Sequence, residues 1–186
     1  PWFEGSAGAL RQRKGGGAYD GGYRVPFIAR WPGHIPRGGR SNAIAMGTDL
    51  LPTFCALAGI APAAGVTLDG RDISGVLLHG RASPHEQLLL FEGESVVGIR
   101  TQQWKFVGGD YFRNGFISFA GRGYPQLYDM TKGDENYSLA SLHPTIARDM
   151  ESRLRLATEA FAPLRTVPDR PAPPPASRHV PEIWQD

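Results

Sequence analysis

The chain has 186 residues, 41% apolar and 20% charged, with a formal net charge of +2. That length suits one domain able to bury about 70% of the surface its unfolded chain would expose, and no apolar run approaches the ~20 residues of a membrane span. Its 20 basic residues are scattered and not gathered into a stripe, which argues against nucleic acid as a partner, and the single Cys55 excludes an internal disulfide or a multi-cysteine zinc site.

Residues 1–23 are glycine-rich with little apolar periodicity, the pattern of an extended functional loop. Within them Lys14 is a lone ammonium in backbone that can approach a ligand closely, the usual way to offer one cation to an oxyanion. Arg24 to Trp31 is β-rich and predicts a strand, with Pro26 near its start suiting an edge position. Thr48-Asp49 can cap a short helix whose Leu51, Phe54, Cys55 and Ala58 share one face, stopped at Gly59. Leu68 to Ile73 reads as a turn leading into a short helix that reaches Leu78.

Leu88 to Glu92, Val96 to Thr101 and Trp104 to Val107 predict successive strands of an antiparallel meander, and Gln126-Leu127-Tyr128 adds one more. After Leu142-His143-Pro144, the recurrence of Ile146, Met150, Leu154, Ala157 and Phe161 predicts a long helix packed on that sheet. From Pro163 to Asp186 repeated prolines predict an extended, poorly ordered tail.

Several segments, in order, resemble the sulfatase family. Gly5 to Arg11 with Lys14 is similar to the family's lysine segment. Tyr19-Asp20-Gly21-Gly22-Tyr23-Arg24-Val25-Pro26 resembles its Glu-Gly-Gly-x-Arg-Val-Pro element, which Ala29-Arg30-Trp31-Pro32-Gly33 extends. Thr48 to Thr53 with Leu57-Ala58-Gly59 is similar to its Asp-Leu-x-Pro-Thr helix, and Leu68-Asp69-Gly70-Arg71-Asp72 to its Leu-Asp-Gly turn. Leu127-Tyr128-Asp129-Met130 and Glu135 to Ala140 resemble Leu-Tyr-Asp-Leu ahead of Glu-x-x-Asn-Leu-Ala. Each match is short; their order is what gives them weight.

The resemblance implies an α+β chain: the C-terminal part of an α/β sulfatase-like fold, with a small antiparallel sheet packed against one long helix. Residues 1–40 are expected to complete a catalytic domain, 41–162 to form a C-terminal subdomain, and 163–186 to be the tail. It also implies a parent hydrolase of the alkaline phosphatase superfamily that cleaves sulfate monoesters, with Lys14 as catalytic and sulfate-binding residue. Lys14 lies one position early when counted back from Asp20, which itself replaces the family glutamate, so Arg13 is the alternative group facing the sulfate. Calcium and a formylglycine are implied for that parent, yet the Cys/Ser-x-Pro-x-Arg, Asp-Asp and Asp-Asn/His motifs that supply them do not occur in this sequence. Cys55, on an apolar helix face, is not assigned as the formylglycine precursor.

Pro1-Trp2-Phe3 resembles the sequence after the family's metal-binding Asp-Asn-Gly, so the remainder is expected upstream and this chain is expected to be inactive alone. A related phosphodiesterase or phosphonate monoester hydrolase would share the layout, and a stand-alone binding or scaffold domain is the non-enzymatic alternative. Asp20 and Arg24 are expected to brace a turn. His34, His79, His85, His143 and His179 lack metal-ligand spacing and are expected in surface or capping roles. Trp104, Phe106, Tyr111, Phe112, Phe116 and Phe119 are expected mainly in the core.

Overall fold

A computed structural model describes residues 6–13, 17–108, 125–133 and 135–166. Among these described residues four helices and four strands follow in order: α1 (Asp20–Tyr23), α2 (Leu50–Ala58), α3 (Ser74–His79), β1 (Gln87–Glu92), β2 (Ser95–Thr101), β3 (Trp104–Val107), β4 (Gln126–Asp129) and α4 (Pro144–Phe161). A 3-10 turn precedes α2 at Gly47–Asp49 and another, Ala162–Leu164, follows α4.

The strands form one antiparallel sheet in the order β1-β2-β3-β4, as the meander pattern predicts. Its register sorts the side chains into two faces, because successive residues of a strand point to opposite sides. Leu89, Ile99, Phe106 and Leu127 are aligned across the four strands. They meet the stripe of α4, where Met150 is buried among them and Ile146, Leu154 and Ala157 pack alongside. Pro144 occupies the first turn of α4, where a missing N–H costs no hydrogen bond.

The opposite face has a different character. Arg100, Lys105 and Tyr128 are aligned across β2, β3 and β4, next to the row of Leu90, Gly98, Val107 and Gln126. A bulge at Leu90/Phe91 turns Val97 to this face as well, since an extra residue reverses the alternation. The N-terminal segment covers it with Ala18 and Tyr19. Gly98 permits that approach: a Cβ there would meet the Ala18 Cβ at 3.1 Å and the Phe106 carbonyl at 2.8 Å.

Two expectations change. Residues 24–31 form no strand; the ordered turn lies just before them, as α1, and the β-rich run pairs with no strand among the described residues. Strand propensity expresses a fit to a pleated neighbour, and without one Val25, Phe27 and Ile28 stand out in solvent, Ile28 at 90% exposure. In α2 the buried residues are Thr53 and Cys55, whereas Leu51 and Phe54 face outward, Phe54 at 61%. Of the predicted apolar face only Cys55 is buried; Leu51, Phe54 and Ala58 are exposed. Of the proline-rich tail, residues up to 166 are described: Thr166 donates through its N–H and Oγ1 to the Glu94 carboxylate, 2.8 and 2.5 Å, at the β1-β2 turn. Tyr111, Phe112, Phe116, Phe119, His179 and the tail from 167 onward lie outside the described residues.

Candidate functional site

The polar face of the sheet sets what can dock on it. Arg100 and Lys105 are cross-strand partners, so a half-buried and a buried cation lie side by side and require nearby anions. Asp20 and Glu135 provide them. Lys105, 1% exposed, has its Nζ 2.7 Å from Asp20 Oδ1 and 2.6 Å from Glu135 Oε1. Glu135 Oε2 accepts the Asp20 backbone N–H at 2.8 Å, which ties the start of α1 to the segment after β4. Burial lowers the Arg100 pKa, with Asp20 and Glu135 opposing that shift. Tyr23, at the other end of α1, bonds both backbone groups of Phe91 through its hydroxyl, and burial raises its pKa.

Over this anchor runs the stretch 11–13. Gly21 donates its N–H to the Arg11 carbonyl at 2.8 Å, and a Cβ at Gly21 would fall 2.1 Å from the Gln12 carbonyl. A Cβ at Gly22 would lie 3.0 Å from the Arg13 carbonyl. The paired glycines therefore let one strand of backbone cross directly on another. Arg11 completes the attachment: its guanidinium lies 4.0 Å above the Tyr19 ring, and Nη1 donates to Tyr128 Oη at 2.7 Å and the Glu135 carbonyl at 3.0 Å. Tyr19 Oη donates to Gln126 Oε1 at 2.9 Å.

Arg13 sits at the exposed end of this crossing, and Lys14 follows it outside the described residues, which resume at Gly17. Asp20 is indeed a structural brace, but its close partner is Lys105. The expected Arg24 partner is mostly exposed and 3.8 Å away, too far and too solvated to hold the turn. Sequence reading missed Lys105, Arg100 and Glu135. The available signal was a lysine at an inward position of a short strand, between Trp104 and Phe106.

A second polar centre is structural. Asp49 is fully buried; Oδ2 accepts the Met46 N–H at 2.7 Å and Oδ1 the Arg71 N–H at 2.8 Å. His85 Nε2 lies 2.8 Å from the same Oδ1, so this histidine is an interior partner and not a surface or capping group. Gly70 is required where the two loops touch, since a Cβ would fall 2.0 Å from the Thr48 carbonyl. Asp49 thus pins three loops together. His34 stacks on Trp31 at 3.8 Å, His79 ends α3, and His143 precedes α4 against Trp104.

Among the described residues no group of three or more His, Cys, Asp or Glu could hold a metal ion. Cys55 is buried on α2 beside Phe54 and Ala56. These described residues do not fit calcium or a formylglycine precursor.

The Sulfatase family model matches residues 2–60, which contain the crossing and Asp20, while Lys105 and Glu135 lie beyond it. Human arylsulfatase A is 40% identical over 152 residues, covering 73% of this chain and 29% of that protein. A solved structure named Ps i-CgsB is 25% identical, with a TM-score of 0.61 over 77% of this chain and 30% of its own. Another, from work on glycosaminoglycan metabolism by Bacteroides thetaiotaomicron, has 22% identity and a TM-score of 0.60 over 77% and 31%. The chain is a sulfatase-family segment, and it spans under a third of the length of these relatives. No helix among the described residues is long and apolar enough to cross a membrane.

Proposed function

We propose that this chain is the C-terminal part of an enzyme that hydrolyses sulfate monoesters, in which Lys14 binds the sulfate group or stabilises the leaving oxygen. The carrying observation is the glycine-crossed, doubly anchored stretch 11–13 that leads directly into Lys14, within the segment matched by the Sulfatase family model. Cleavage of a sulfate ester builds negative charge on the leaving oxygen, and a preorganised ammonium there contributes several kcal/mol in a site sheltered from water. Arg13 is the neighbouring alternative for that contact. The nucleophile, calcium and formylglycine that the family resemblance implies belong to the rest of the parent protein, so this chain alone releases no sulfate.

Residues 1–40 complete the edge of the parent's larger α/β body, and 41–162 form the subdomain packed beside it. The exposed Val25, Phe27 and Ile28, together with the outward Leu51 and Phe54, support such a covering body. The test is turnover by the full-length protein carrying this chain, with 4-nitrophenyl sulfate and bis(4-nitrophenyl) phosphate compared. Preferred release of sulfate is expected. Preference for the phosphodiester contradicts the proposal and selects the related phosphodiesterase class.

A further inference from the structure

We infer that Lys105 and Asp20 are positioning residues for the cationic arm: their ion pair sets where the 11–13 crossing lies, and so fixes Arg13, from which the chain runs on to Lys14. The inference rests on the sulfate-binding assignment of Lys14 made above.

The mechanical path is short. Lys105 is fixed by β3 within the sheet and holds Asp20 at 2.7 Å. Asp20 opens α1, whose next two residues, Gly21 and Gly22, are the surface on which Gln12 and Arg13 rest. Glu135 closes the arrangement by holding Lys105 and the Asp20 N–H with its two oxygens, 2.6 and 2.8 Å. On the far side of residues 14–16, Ala18 and Tyr19 are buried against Leu90, Val107 and Tyr128. Both flanks of that three-residue segment are therefore referred to one rigid sheet. A shift of the Asp20 carboxylate by a fraction of an ångström changes where Gly21 and Gly22 sit, and backbone contacts this close transmit such a shift directly. Placement errors of about 1 Å cost an enzyme up to about 100-fold in rate, even when introduced away from the chemistry.

The side chain chosen matters. Asp20→Asn keeps the shape and leaves Lys105 its Glu135 partner, so it is milder than removing the lysine. Asp20→Glu keeps the charge. In the full-length protein, kcat/KM for 4-nitrophenyl sulfate is measured for these two variants, for Lys14→Ala, and for each combined with Lys14→Ala, with thermal unfolding recorded alongside. The expected result is at least about a tenfold loss in Asp20→Asn, substantial recovery in Asp20→Glu, and no further loss when either is added to Lys14→Ala, because residues acting through one group are non-additive. Losses that multiply with that of Lys14→Ala, or wild-type rates in Asp20→Asn, overturn the positioning role alone. Wild-type rates in Lys14→Ala overturn the sulfate-binding assignment and the positioning role together. Should Asp20→Asn fail to fold, Lys105→Arg, which keeps the charge but displaces it, takes its place under the same criterion.

Discussion

The sheet with α4 and the segment from 24 to 60 are built from similarly apolar sequence, yet they resolve their surfaces in opposite ways. In the first, Ile99, Phe106 and Leu127 are closed over by Met150 and its neighbours. In the second, Val25, Phe27, Ile28, Leu51 and Phe54 face outward while polar Asp49 and Thr53 are fully buried. The difference separates apolar residues that find partners within these described residues from apolar residues that do not, and which the proposed covering body would bury. Between the two regions lies the Lys105 clamp, which ties α1, the turn that leads into the outward segment, to the sheet through charge.

Removing the clamp breaks the comparison most severely. Lys105→Met strands Asp20 and Glu135 without their cation, and loss of one member of a buried ion pair costs about 3–5 kcal/mol. Denaturant unfolding of the full-length protein checks this, and a loss below about 1 kcal/mol would mean that the carboxylates relax to water. Next comes Phe54→Ser. If the outward face is covered in the parent, the change costs about 1.5–3 kcal/mol, the value of burying a phenylalanine. If that face stays in water, the change is nearly neutral, within about 0.5 kcal/mol, and the proposed covering body is contradicted.

The smallest effect is on pH dependence and belongs to the closed region. Hydrogen bonds from Thr131 lower the pKa of Asp129, at the end of β4. A carboxylate with a lowered folded pKa contributes stability above its unfolded value, and that contribution is lost as pH falls through the folded value. Asp129→Asn should therefore lower stability slightly near neutrality and flatten the acid side of the profile, the variant and the wild type converging as pH falls below about 4. An unchanged acid limb would remove Asp129 from the account.

The closed region was largely legible in sequence because its signals are local. Alternation gave the four strands, and the spacing from Ile146 to Phe161 gave α4. Residues 24–31 were misread because β-branched and aromatic residues report readiness to pair, while pairing depends on a neighbour the local sequence does not contain. The Leu51 and Phe54 stripe likewise reported amphipathicity without saying what covers it. The clamp was invisible for another reason: residues 20, 105 and 135 meet only through tertiary folding, and the inward lysine of Trp104-Lys105-Phe106 has meaning only once the register of β3 is known. The Asp49 centre was read as a helix cap, but its bonds to Arg71 and His85 span sequence separations that no local pattern reports.

The proposed sulfate contact of Lys14 makes the clamp and the paired glycines the scaffold for that residue. The most direct measurement of that contact is kcat/KM of Lys14→Ala against wild type in the full-length protein with an aryl sulfate. The account predicts a loss of at least about tenfold, or roughly 1.4 kcal/mol of transition-state stabilisation; unchanged kcat/KM would contradict it.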